Sequence, residues 1–323
     1  MSDFLLKVQR FSEHWLTARK RRKLAKKEKQ SKKNPVLDWI EAFLWAACVV
    51  LLINQYLFQA YQIPSGSMMN TLLIKDRIFV NKIIFGPELL PGIGKLPGFD
   101  KPERAEVIIF ENPAYLSKGP VFDVVQRILY MLTLSLVDID KDQYGNPRAH
   151  FLIKRAIGMP GDRLRFDDGE LEIQPQGFSN FIHESEFKKL GGYTYNTRRL
   201  IQKSDYRIIK ASAVKDAYDM AKIPLPTNIA QIAEQGDGGM DAYAKMMYRS
   251  RTLYSIYPYD RKYGSDYQRL SIGWYIPSEY LFPLGDNRDD SKDARYFGPV
   301  RQKKVLGKAM FKYWPLQRMG VIR

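Results

Sequence analysis

The sequence predicts a mainly β fold of the antiparallel kind, carried behind one N-terminal transmembrane helix and holding an inserted second subdomain. Three observations predict it. A single long apolar run lies near the N-terminus, short apolar stretches separated by turn residues fill the chain after it, and one later stretch breaks that rhythm. With 45% hydrophobic residues in 323, the chain has ample material for a buried core.

The elements follow in order from a basic tail. Residues 1–33 hold twelve Lys or Arg against three acids, so they carry nine of the chain's formal charge of +16. A basic chain suggests an anionic partner, nucleic acid or lipid headgroups; confinement of the charge beside an apolar run favours lipid. Residues 36–58, VLDWIEAFLWAACVVLLINQYLF, are about the length needed to cross a hydrocarbon core of roughly 30 Å. The strictly apolar centre, 42–53, is shorter, so hydropathy alone leaves a buried or interfacial helix open.

Context favours a span. Trp39, Trp45, Tyr56 and Tyr61 supply interfacial rings, and the cationic cluster before the run is the positive-inside pattern. That pattern puts the tail in the cytoplasm and the chain after about residue 60 outside. A cleaved secretory signal fits poorly, because the basic region is long and no A-x-A-like site follows the apolar run. The expected organisation is a cytoplasmic tail at 1–34, a single-pass anchor in the inner (plasma) membrane at 35–60, and an extracytoplasmic β domain at 61–323, with an insertion at about 174–272.

Strands are expected at 77–84, 106–110, 149–157, 162–166, 170–173, 273–276, 280–284 and 304–313, punctuated by Pro-Gly, Asp-Gly and Gly-Asp-Asn turns. Residues 121–137 read as an amphipathic or membrane-lying helix, too short to span comfortably. The Tyr- and Lys-rich stretch 174–272 has a helical portion near 211–221, with PLP and GDGG marking loops. GIGKLPG at 92–98 lacks the spacing and following helix of a phosphate loop, and reads as a plain loop.

Several chemistries are poorly supported. Cys48 is the only cysteine, which excludes an internal disulfide and a multi-cysteine zinc site. His14, His150 and His183 stand in no ligand pattern, so a Ser-His-Asp triad could be built only on His150 or His183, and neither a metal nor another cofactor is expected.

Three blocks remain: IPSGSMMNTL at 63–72, FLIKRAIGMPGD at 151–162 and GDNRDDSKDAR at 285–295. Taken singly they read as a Ser-Gly-Ser loop or turn behind a proline, an edge-strand lysine facing solvent and a polar turn with ion pairs. In this order, behind an apolar helix, they resemble the type I signal peptidases, the Ser-Lys dyad endopeptidases that remove signal peptides from exported preproteins. A looser match lies at RAEVIIFENP, 104–113.

The resemblance implies an antiparallel β catalytic domain with Ser67 as nucleophile and Lys154 as general base. It makes the Ser65 hydroxyl and the Ser67 backbone N–H the oxyanion donors. Ser291 would orient the lysine, with Asp286, Asp293 and Arg295 as ion-pair residues and Asn287, Arg288 and Asp289 completing the motif. Ile63, Pro64, Leu72, Leu152 and Ile153 would line the shallow substrate pockets. The implied partners are signal-peptide-bearing preproteins and membrane lipid, without nucleic acid; the oligomeric state is unassigned. This chain departs from the family at Asn70, where the usual residue is Pro, and at Arg104-Ala105-Glu106, where an RGD-like sequence is usual.

The residue types suit the chemistry. A lysine acts as a base only when neutral, which at neutral pH requires burial to lower its ordinary value of about 10.4. Two rival functions stand beside this one. A self-cleaving repressor-type Ser-Lys protease would need a DNA-binding N-terminal domain, and a non-catalytic membrane tether would not need the dyad.

Overall fold

The computed structural model describes residues 13–25, 34–90, 93–134, 136–146, 148–236 and 241–322. Much of the basic tail, the first residue of GIGKLPG and the last three of GDGG therefore lie outside the described residues. The chain divides into two compact units, 1–51 and 52–323.

The first unit contains helix α1 (13–25) and most of α2 (Pro35–Tyr56). Asn34 starts α2: its side chain accepts the Val36 N–H at 3.0 Å and its carbonyl accepts that of Asp38, while Pro35 sits at the first helical position, where a missing N–H costs nothing. Twenty-two residues rise about 33 Å, and their mean hydropathy reaches 2.2 over an 18-residue window with no part of it buried. By length and composition this helix can cross a membrane. It stops at Tyr56, short of the expected residue 60, because the chain from Phe58 pairs into a sheet.

In the second unit the strands are β1 (Phe58–Gln62), β2 (Arg77–Asn81), β3 (Glu88–Leu90), β4 (Ile93–Lys95), β5 (Val107–Glu111), β6 (Phe151–Gly158), β7 (Arg163–Asp167), β8 (Glu170–Gln174), β9 (Ile182–His183), β10 (Trp274–Tyr275), β11 (Tyr280–Leu284), β12 (Val300–Arg301), β13 (Val305–Trp314) and β14 (Gly320–Val321). A large antiparallel sheet runs β1-β2-β13-β5-β6-β11-β12, with β14 on β13; a second runs β10-β7-β8-β9, and β3 with β4 forms a hairpin. The mainly β, antiparallel expectation holds. GIGKLPG is not entirely loop, since Ile93–Lys95 forms β4.

The helices of this unit are α3 (Pro120–Leu132), α4 (Glu184–Gly191), α5 (Tyr206–Ala221), α6 (Thr227–Ala233), α7 (Ala242–Ile256), α8 (Arg261–Tyr267) and α9 (Ala294–Phe297). The stretch 174–272 is thus mostly helical, beyond the one portion expected near 211–221. Its inward faces explain why. Tyr206, Ile209 and Ala213 of α5 and Tyr243, Ala244, Met247 and Tyr248 of α7 are buried against Leu164, Phe166, Leu171 and Ile173 of the second sheet. Tyrosine and alanine mark an apolar face weakly in a sequence, so the 3.6-residue period stays hidden until the packing shows it.

Both departures from the family have a backbone reading. Asn70 has φ 82°, a left-handed conformation that asparagine tolerates and proline, locked near −65°, cannot adopt. Ala105 has φ 70°, where glycine would be relaxed. It is held there by its N–H on the Ala156 carbonyl and by its own carbonyl, which accepts from Arg155. Ala105→Gly should therefore stabilise the protein by about 1 kcal/mol, relief of left-handed strain outweighing the entropy glycine adds to the unfolded chain; a rise in the urea midpoint at constant m-value would show it.

Candidate active site

Three segments far apart in sequence meet at β6. The loop after β1 turns through Gly66–Met68 as a single 3-10 turn and buries Ser67. Lys154 sits in the middle of β6, between β5 and β11, and is 3% exposed. It is therefore on an interior strand, not the edge strand of the bland reading. The loop leaving β11 begins at Leu284, which pairs with Arg155, so residues 285–295 start beside the lysine's neighbour.

Lys154 Nζ lies 2.5 Å from Ser67 Oγ and 3.1 Å from the Ile153 carbonyl. Burial pushes this amine down to about 8; Asp293 and Asp286 pull it upward and lose, while Arg295 adds to the depression. Ser65 is exposed, with its hydroxyl 3.4 Å from Ser67 Oγ.

The third block is a scaffold of buried charge. Arg155 meets Asp286 through Nε at 2.8 Å and a terminal nitrogen at 2.7 Å, and Thr71 donates its hydroxyl to the same carboxylate at 2.5 Å. Asn287 clamps the Ser67 turn: its N–H donates to the Ser67 carbonyl and its side-chain amide to that of Gly66, each at 3.0 Å. Asp293 accepts the Gly285 N–H at 3.0 Å and pairs with Arg295 at 2.9 Å. Burial raises the Asp293 carboxyl, but the Arg295 charge and the hydrogen bonds outweigh it, so the group sits below the ordinary aspartate range. Arg288 binds the Gly285 carbonyl and Glu184, and Asp289 accepts the N–H groups of Leu200 and Ile201, which tie the inserted helical segment to the loop.

Not every expected residue joins the dyad. Ser291 is buried, but its hydroxyl has no hydrogen-bond partner among the described residues. The five pocket residues are dispersed. Ile63 and Leu72 are buried in a core cluster that Ile153 packs against, Leu152 packs against a different cluster built on Phe110 and Val305, and Pro64 is exposed.

Other residues matter that their types alone did not announce. Arg155 and Thr71 look like an ordinary strand cation and a loop hydroxyl until Asp286 is placed between them. Gly285 is required by close approach: a Cβ there would sit 2.1 Å from Ser291 Oγ and 2.6 Å from the Ser67 carbonyl oxygen. Among the described residues no group of three or more His, Cys, Asp or Glu could hold a metal ion.

A Gly285→Ala variant tests the close approach. It should push the Ser67 turn away from Asn287 and lower turnover at least tenfold, while far-ultraviolet circular dichroism stays that of the parent.

Comparison with known proteins gives the family. The chain is 27% identical over 293 residues to a signal peptidase I of Buchnera aphidicola subsp. Acyrthosiphon pisum, spanning 89% of this chain and 77% of that one. It is 26% identical to a signal peptidase I of Aquifex aeolicus, spanning 85% and 82%. A crystal structure of a signal peptidase I from Enterococcus faecalis V583, 18% identical and matching 65% of this chain and 97% of that one, aligns with a TM-score of 0.24. The model of the signal peptidase family, peptidase S26, matches residues 36–314, and the chain belongs to that family.

Proposed function

We propose that this chain is a membrane-anchored signal peptidase that cuts exported preproteins after small residues through a Ser67–Lys154 dyad. The observation that carries the proposal is the 2.5 Å approach of a buried Lys154 amine to the Ser67 hydroxyl. The neutral amine takes the Ser67 proton as the oxygen attacks the scissile carbonyl. The oxyanion is met by the Ser65 hydroxyl and the Ser67 N–H, and the amine returns its proton to the departing nitrogen. The same amine then deprotonates the water that releases the acyl group, restoring Ser67. Asp286, Asn287, Arg288, Asp289, Asp293 and Arg295 hold the two reacting groups together. The resemblance gives Ser291 the task of orienting the amine; its hydroxyl is buried in the same loop and has no hydrogen-bond partner among the described residues.

An extended substrate segment would add to the free edge of β1, an edge strand of the large sheet that leads into the Ser67 turn. Because Ile63 and Leu72 are already packed in the core, little depth remains for a side chain beside the cut. α2 would cross the membrane with the basic tail in the cytoplasm and the dyad outside.

The depressed lysine value sets the pH dependence. Below about 8 the amine is protonated and cannot act as base, so kcat/KM should rise with pH through about 8 and level off above it. Stability moves the same way. The unfolded chain binds this proton more tightly than the folded one between about 8 and the ordinary lysine value, so Lys154 weakens the fold below that window and the penalty fades as pH rises through it. Lys154→Met should therefore abolish turnover at every pH and yet raise the thermal midpoint at pH 7.

Substrate class is tested with the detergent-solubilised full chain, with metal chelator present, and a precursor bearing an Ala-x-Ala site. Cleavage after the final Ala is expected, with a large loss when that Ala becomes Leu; unchanged cleavage of the Leu precursor would refute the shallow-pocket assignment, and cleavage by Ser67→Ala would refute the dyad.

A further inference from the structure

The helix α3 turns a wide apolar face outward. Val121, Val124, Val125, Ile128, Leu129 and Leu132 recur at the spacing of one helical face, yet each is between 37% and 76% exposed. The face turned inward is mixed: Met131 is buried and Tyr130 packs against a core cluster, while Gln126 is buried and donates to Asp138 at 3.0 Å, and Arg127 pairs with Glu88 at 2.9 Å with its guanidinium over the Phe151 ring. A surface helix in water normally leaves its polar side chains, not six aliphatic ones, on the outer face. A continuous exposed apolar stripe of this kind needs an apolar medium or partner.

Its place in the fold says which. Glu88, which holds Arg127 of α3, also accepts at its backbone carbonyl from the Gln55 side chain at 2.9 Å, and the Tyr56 hydroxyl donates to the Leu89 carbonyl at 2.9 Å. Tyr130 of α3 packs 6.1 Å from Tyr61 of β1. Gln55 and Tyr56 end α2, so the inner face of α3 is fastened to the residues where the spanning segment gives way to the β domain. An apolar stripe at that level adjoins the bilayer surface that α2 would leave.

We propose that α3 is a second membrane contact: an interfacial helix that lays its apolar face into the outer half of the bilayer and keeps the dyad-bearing domain against the lipid. The inference rests on the reading of α2 as a membrane span. Such a contact suits a peptidase whose substrates present their cleavage sites next to a membrane-embedded apolar segment.

The test uses the full chain with Cys48→Ala, reconstituted into phosphatidylethanolamine–phosphatidylglycerol vesicles, with a nitroxide on a single cysteine introduced by Val125→Cys, Ile128→Cys, Leu44→Cys or Tyr259→Cys. Collision with oxygen reports lipid and collision with a water-soluble nickel chelate reports water. The expected result is oxygen accessibility severalfold above that of the chelate at positions 125, 128 and 44, and the opposite order at 259, which is 99% exposed. If position 44 is in lipid while 125 and 128 collide with the chelate as freely as 259, the interfacial helix is refuted and the anchor stands. If 125 and 128 are shielded from both reagents, a protein partner or second copy covers the stripe and the lipid assignment is again overturned. A position 44 label in water removes the anchor and this proposal with it.

Discussion

The structure depends on one costly placement, an amine on an interior strand with almost no access to water. Among the described residues Lys154 has a single hydroxyl and one backbone carbonyl within hydrogen-bonding distance, so the charged form lacks the hydration it would keep at the surface. The surrounding architecture both imposes that cost and partly offsets it. The large sheet supplies the apolar neighbours, and the loop after β11 supplies carboxylates that pull the amine toward the charged form without prevailing. A lysine on either edge of the sheet would be hydrated and ordinary.

The buried ions around it have a separate task. Arg155 with Asp286, and Arg295 with Asp293, are each satisfied by further hydrogen bonds: Thr71 and Gly285 donate to the carboxylates, and Arg295 donates to the Arg288 carbonyl. Such pairs add little net stability, but breaking one leaves an uncompensated charge in the interior, so they hold geometry firmly. Through Asn287 that firmness reaches the Ser67 turn, and through Glu184 and Asp289 it reaches the inserted helical segment. The mostly helical stretch 174–272 is thus tied to the loop after β11 rather than merely appended to it.

The two outward-facing apolar helices share a logic. In α2 the exposed apolar residues surround the helix, which suits immersion; in α3 they occupy one face, which suits a surface. Both meet the same small hairpin, where Glu88 and Leu89 receive Gln55, Tyr56 and Arg127.

Much was legible in the sequence because it depends on local order along the chain. Strand positions followed from alternation and turn residues, a helix long and apolar enough to span from a contiguous run, and the meeting of Ser67 with Lys154 from the resemblance that their short blocks carry. Other features exist only once distant segments meet. The joining of Arg155 to Asp286, the pressure of Gly285 against Ser67, the scatter of the expected pocket residues between two cores and the outward turn of the α3 stripe all depend on which strand neighbours which. Periodicity says that a helix has an apolar face; only the tertiary fold decides whether that face points into the protein or away from it.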